Sequence, residues 1–154
     1  MNQMTAPSQK GRLRLGEILI HQGWINWPDL ENALQFQKQG DKVPLGEILI
    51  GRGFISSNLV YHALAIQFGK RFIELSHLSV PMEVKKIVPK AFLLEHRMVP
   101  LEIKNLILQV TVCDPLDVWP LSQLESMMNT EDSEIVLATP EDILSAINRS
   151  YLIV

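Results

Sequence analysis

The hexapeptide Leu-Gly-Glu-Ile-Leu-Ile at Leu15–Ile20 recurs 30 residues later as Leu45–Ile50. The match continues at the same offset, pairing Gly23 with Gly53, Ile25 with Ile55, Ala33 with Ala63, Leu34 with Leu64 and Gln37 with Gln67. Eleven of the 23 positions from 15 to 37 are therefore identical in the second copy. Two copies are too few for a solenoid, which stacks three or more. They suit a pair of similar halves, and a site for a ligand that itself has two similar halves.

Each copy predicts two helices. Leu15, Ile18, Leu19 and Gln22 fall at i, i+3, i+4 and i+7, one helical stripe, and Gly23 follows as a helix-ending glycine. Asn26-Trp27-Pro28-Asp29 is a helix-start signal for a second helix carrying Leu30, Ala33, Leu34 and Gln37 and ending near Gly40. The second copy predicts a helix from Leu45 to Arg52, then Gly53, then a cap at Ser56 or Ser57 before a helix with Val60, Ala63, Leu64 and Gln67.

Beyond Gly69 the pattern changes. Phe72–Leu75 predicts a short strand, and Pro81–Val88 and Pro89–His96 predict short helices. Met98–Ile103 and Leu106–Cys113 are β-rich runs, with a tight hairpin expected at Lys104-Asn105. Asp114-Pro115-Leu116-Asp117 ends the second run, and a helix over about Val118–Asn129 and a strand over Glu134–Ala138 follow. A last helix opens at Thr139, the expected cap, with Pro140 first and Asp142 completing a capping-box-like start. The fold class is therefore α+β. An amino-terminal four-helix tandem-repeat unit precedes a small α+β unit with a mainly antiparallel three-stranded sheet. The expected divisions are a flexible tail over 1–11, a helical ligand-binding part over 12–69 and an α+β part over 70–154.

Composition narrows the function classes. Hydrophobic residues make up 47% and charged residues 20%, enough to bury a core and too apolar for compositional disorder. No run of about 18 uncharged apolar residues exists to insert in a membrane, and the first residues lack a secretory signal. Cys113 is the only cysteine, which excludes an internal disulfide and fits a reducing, cytoplasmic setting. Net charge is −3, divided as +3 over residues 1–71 and −6 over 72–154. The first part is the better host for an anion, but the imbalance is too small for nonspecific nucleic-acid binding.

Catalysis has little to stand on. His21, His62, His77 and His96 show no metal-ligand spacing with one another or with Cys113, so no metal or cofactor is expected. There is no G-x-S-x-G, and no G-x-x-x-x-G-K-[ST] loop to cradle triphosphates. Binding has more. The repeated helices open on Arg14-Leu15-Gly16 and Pro44-Leu45-Gly46, without Ser, Thr, Asp or Asn at the cap. Their first N–H groups bond either to water or to an anion, which a helix start favours. Gln37 and Gln67 end apolar stripes in the same register; each is either a helix former at the solvent edge or an amide that needs a partner.

The spacing Arg14-Leu15-Gly16-x-x-Leu19-x-x-x-Gly23-x6-Leu30-x3-Leu34-x-x-Gln37, repeated from Leu45-Gly46 to Val60, Leu64 and Gln67, resembles the MshEN-type domain. Met98-Val99-Pro100-Leu101, Cys113-Asp114-Pro115-Leu116-Asp117 and Pro140-Glu141-Asp142-Ile143 look like its α+β portion, so the resemblance spans nearly the whole chain. Domains of this type open many type II secretion and type IV pilus ATPases, where they are receptors for cyclic di-GMP. The resemblance implies that ligand, a near two-fold dianion with two guanines and two phosphodiesters. It implies that Leu15-Gly16 and Leu45-Gly46 meet the ligand's perimeter, and that Leu30, Leu34, Val60 and Leu64 pack on guanine and ribose. Arg14 and Arg12 would pair with guanine or phosphate, Gln37 and Gln67 would bond bases or phosphates, and Asp114 would accept from a guanine edge. Asp114 has an equally good use in capping its own turn. Two positions depart from the pattern: Pro44 replaces the second arginine, and Val60 replaces a leucine at a cost of at most about 1 kcal/mol.

The expected function is a cyclic di-GMP receptor without an ATPase module. It would regulate a partner in trans, such as a transcription regulator or a pilus or secretion ATPase. The alternatives are an adaptor of the same fold that no longer binds nucleotide, or the detached regulatory domain of such an ATPase.

Overall fold

The computed structural model describes residues 13–40 and 42–152. Its contacts divide the chain into two compact units, with the boundary in sequence between Gly69 and Lys70. The first unit holds α1 (Leu15–His21), α2 (Trp27–Gln39), α3 (Leu45–Gly51) and α4 (Ser57–Phe68). Local chemistry sets their bounds. Asn26 Oδ1 accepts from Asp29 N at 2.9 Å and Ser56 Oγ from Leu59 N at 3.3 Å, so α2 and α4 start on side-chain caps. Gly23 and Gly53 take φ of 76° and 75° just after α1 and α3, a conformation that costs glycine little.

The helices do not pair as two separate hairpins. α1 packs on α4 and α2 on α3, so each short helix lies on the long helix of the other repeat. Ile18, Leu19, Leu30 and Ala33 share one buried cluster with Ile48, Leu49, Val60 and Ala63. That core exists only with both copies present, because neither amphipathic pair can cover its own apolar stripe.

The second unit contains α5 (Met82–Lys85), α6 (Lys90–His96), β1 (Met98–Lys104), β2 (Ile107–Val112), α7 (Trp119–Met128), β3 (Asp132–Leu137) and α8 (Pro140–Ser150). The sheet order is β1-β2-β3, with β1 antiparallel to β2 and β2 parallel to β3. The sheet, expected to be mainly antiparallel, carries one parallel pair, because α7 serves as a crossover between β2 and β3. The core joins Leu75, Val84, Val88 and Leu93 to Leu108, Val110, Leu124, Ile143 and Ile147.

Three local expectations need correction. Phe72–Leu75 is not a strand: a single parallel bridge joins Phe72 to Leu137, with Ile73 N donating to Leu137 O at 2.8 Å. The hairpin turns one residue later than expected, since Lys104 already pairs with Ile107 and the turn residues are Asn105 and Leu106, at φ 54° and 64°. Two positive φ values are what a two-residue turn between twisted strands demands, and they overrode the β preference of Leu106. Asp142 does not close a capping box. Thr139 Oγ1 accepts from Asp142 N at 3.2 Å, but Asp142 Oδ2 is taken by Leu75 N at 2.6 Å.

Candidate functional site

The two repeated helix starts are the centre of the candidate site. Arg14 and Pro44 precede α1 and α3 in extended backbone, at φ/ψ of −78°/156° and −59°/144°, and neither side chain caps its helix. The first intrahelical donors are Ile18 N to Arg14 O at 3.1 Å in α1 and Glu47 N to Pro44 O at 3.1 Å in α3. The N–H groups of Leu15, Gly16, Leu45 and Gly46 lie ahead of these bonds, as helix geometry requires. Side-chain caps are also absent at Pro81, Pro89 and Val118, so a missing cap does not by itself distinguish these starts.

The two starts differ in one polar contact. Arg14 N donates to Glu17 Oε1 at 2.8 Å, closing the first turn of α1. Pro44 has no N–H, so Glu47 has no equivalent donor at that place. The substitution of proline for arginine removes a guanidinium and a backbone tie together.

The glutamines occupy equivalent places and make equivalent bonds. Gln37 Nε2 donates to Val43 O at 2.9 Å, and Gln67 Nε2 donates to Leu13 O at 2.9 Å. Val43 and Leu13 are themselves 30 residues apart, each two positions before its short helix. Each amide therefore reaches the leader of the other repeat's short helix. A carboxamide has two N–H donors and one acceptor oxygen, so this bond uses one donor.

The apolar candidates divide by burial. Leu30 is 0% exposed and Val60 1%, both within the core of the helical unit. Leu15, Leu34 and Leu45 are half-buried and pack against that core from its edge, and Leu64 is half-buried as well. Gly16 is buried, and at Gly46 an added Cβ would lie 2.9 Å from Val60 Cγ1, so glycine is what lets α3 close on α4 there. Arg14 is exposed. Arg12 lies outside the described residues. Asp114 belongs to the second unit and is exposed; its Oδ1 accepts from Leu116 N at 2.9 Å, the turn-capping use open to it from sequence.

Residues that sequence reasoning passed over are Leu13 and Val43, whose carbonyls anchor the glutamines. Backbone acceptors leave no mark on residue identity, but both precede the hexapeptide by two residues and share its offset. A second omission is Arg52, which reaches a ring in each repeat. The Arg52 guanidinium lies 4.7 Å from the Phe36 ring centre and 5.8 Å from that of Phe54. Among the described residues, no group of three or more His, Cys, Asp or Glu side chains is placed to hold a metal ion. Burial pushes the Cys113 thiol up from its ordinary range, against the opposing pull of Arg97, so it favours the protonated, unreactive form. No described helix is long and apolar enough to cross a membrane.

The MshEN domain family model matches residues 68–153, more than half of the chain and chiefly its second unit. Among solved structures, MshE with cdg (cyclic di-GMP) is similar over 91% of this chain and 100% of that one, at 27% identity and a TM-score of 0.73. Coverage that broad includes most of the helical unit, of which the family model matches only residues 68–69. The amino-terminal domain of XpsE is similar at 20% identity and a TM-score of 0.65, covering 90% of this chain and 94% of that one. In a second crystal form the XpsE domain gives 21% identity, a TM-score of 0.55 and coverage of 96% and 100%. The XpsE likeness speaks to fold alone. No curated protein matches the chain. With more than half its length matched by the family model, the chain belongs to the MshEN domain family.

Proposed function

We propose that the chain is a receptor for cyclic di-GMP that regulates a partner protein through ligand-dependent interaction. The observation that carries this reading is the two-fold arrangement of the helical unit. Equivalent helix starts, equivalent half-buried leucines and equivalent glutamine bonds recur at the 30-residue offset. A ligand with two guanines and two phosphodiesters has the same internal symmetry, and the similar MshE structure holds that ligand.

In this reading Leu15-Gly16 and Leu45-Gly46 offer backbone donors to the ligand's perimeter. Leu34 and Leu64 supply apolar surface, backed by the buried Leu30 and Val60. Arg14, with Arg12, contributes a forked cation for guanine or phosphate. Gln37 and Gln67 keep one donor and one acceptor for ligand. Ligand binding then favours one state of the protein surface, and the partner, a transcription regulator or a pilus or secretion ATPase, reads that state by linkage.

A second reading, an adaptor of the same fold that has lost the nucleotide, draws on Pro44, which deprives one half-site of both guanidinium and N–H. Calorimetric titration of the purified chain with cyclic di-GMP, against GTP, cyclic di-AMP and cyclic GMP, separates the two. Selective binding near one ligand per chain is expected; absence of heat and of any melting shift at high ligand would leave the adaptor.

A further inference from the structure

We infer that Gln37 and Gln67 are positioning residues that work across the repeats, each setting the backbone from which the opposite repeat's short helix begins. Gln37 lies near the end of α2 and holds the carbonyl of Val43, ahead of α3. Gln67 lies near the end of α4 and holds the carbonyl of Leu13, ahead of α1, although 54 residues separate the two in sequence. The same exchange governs the packing, with α1 on α4 and α2 on α3. Apolar contact can fix the spacing of two helices but directs no backbone amide. A hydrogen bond of 2.9 Å to the leader carbonyl does, because it sets the peptide plane entering the helix.

The exchange makes each half of the site a joint product. The peptide that Gln67 holds runs directly into Arg14, Leu15 and Gly16, so the second repeat's glutamine orients the first repeat's arginine. Gln37 orients Pro44, Leu45 and Gly46. Neither copy builds a half-site from its own residues alone. A site assembled crosswise can respond as one body, since shifting either glutamine moves the donors of the opposite half.

The decisive measurement is amide hydrogen exchange and chemical shift, by NMR, on the ligand-free full chain. Gln67→Met removes the donor while keeping length, and should raise exchange and move shifts at Arg14 and Leu15 while leaving Leu45 and Gly46 near wild type. Gln37→Met should do the reverse. Gln67→Glu and Gln37→Glu, which place an acceptor against the carbonyl, should repeat the crossed pattern if either Met variant proves too unstable to assign. Disturbance confined to each glutamine's own repeat, or none at either helix start, would overturn the inference.

Its consequence for ligand rests on the cyclic di-GMP reading and is tested separately, by a double-mutant cycle in binding. Gln67→Met with Arg14→Ala should lose less than the product of the single losses by about threefold or more, whereas Gln37→Met with Arg14→Ala should multiply. Equal coupling in both pairs would remove the glutamines' crossed role in the site. Should the wild-type chain bind no cyclic di-GMP, the ligand reading fails while the exchange pattern still decides the crossed clamp.

Discussion

The two units of the chain reach order by different routes. The helical unit repeats one local plan twice, and its cross-ties are two side-chain amides on backbone carbonyls at equivalent places. The α+β unit has no internal repeat, and α8 stitches the segment before β1 by long-range bonds. Asp142 accepts from Leu75 N, Arg149 donates to the carbonyls of Leu75 and Leu78, Ser150 Oγ accepts from Val80 N, and Lys85 Nζ donates to Ser150 O. Tyr151 adds a bond from its hydroxyl to Val88 O at 2.9 Å. One region thus commits its polar side chains to holding a single continuous core. The other sets the bonds of Gln37 and Gln67 at equivalent places ahead of its two short helices. Duplication leaves polar capacity in register, which is what a two-fold ligand needs.

The largest test of this contrast concerns core leucines. Leu19 and Leu49, equivalent and both 0% exposed, should each cost about 2–5 kcal/mol when changed to Ala, by denaturant unfolding. Their costs should agree within about 1 kcal/mol, as matched cavities in equivalent places would. A gap of several kcal/mol would break the equivalence of the two halves, while Ile143→Ala in the other unit has no twin to match.

Glycines sharpen the comparison further. Gly46→Ala should destabilise by about 1–3 kcal/mol, because the new methyl meets the stiff side chain of Val60. Gly51→Ala, at the end of the same helix with nothing within 4 Å, should stabilise by about 0.5–1 kcal/mol. Thermal melts that place both changes on the same side would show that packing at Gly46 is not what reserves it.

For ligand, Arg14→Ala should weaken cyclic di-GMP by about 1–3 kcal/mol in calorimetry, with the exposed Lys104→Ala unchanged. Wild-type affinity in Arg14→Ala would end the role proposed for that arginine.

The α+β unit offers two smaller effects. Leu106 sits in the left-handed region at φ 64° and is 49% exposed, so Leu106→Gly should stabilise by about 1 kcal/mol. Because burial raises the Cys113 pKa, the folded chain keeps that proton at pH values where the unfolded chain has lost it. Its contribution is intact below the ordinary thiol range and is lost as pH rises through the raised value. Unfolding free energy followed upward from about pH 8 should fall less steeply in Cys113→Ser than in wild type.

Much of this was legible from residues. The repeat, the caps at Asn26, Ser56 and Thr139, and the glycines after α1 and α3 follow from near-neighbour chemistry, which makes the four helices of the first unit legible. What escaped depended on distant partners. Asp142 has the spacing of a capping box, yet Leu75, 67 residues away, claims its carboxylate. Leu106 has a strand-former's side chain but serves a turn, because pairing of Lys104 with Ile107 leaves it no other place. The candidate site was visible as a register of identical residues, and the exchange of glutamines between repeats was not, since its acceptors are carbonyls that any residue carries.

Pro44 opposite Arg14 breaks the internal two-fold, and a symmetric ligand held as proposed inherits the break. Free in solution, its two phosphorus atoms are indistinguishable. Bound, one lies toward the repeat that carries a guanidinium and the other toward the repeat that carries a pyrrolidine ring. A single phosphorus resonance should then split into two, with no covalent change in the molecule. The ligand can never enter the wrong way round, because its two orientations are the same. A duplicated fold with two unlike copies would give a symmetric ligand a direction that it lacks when free.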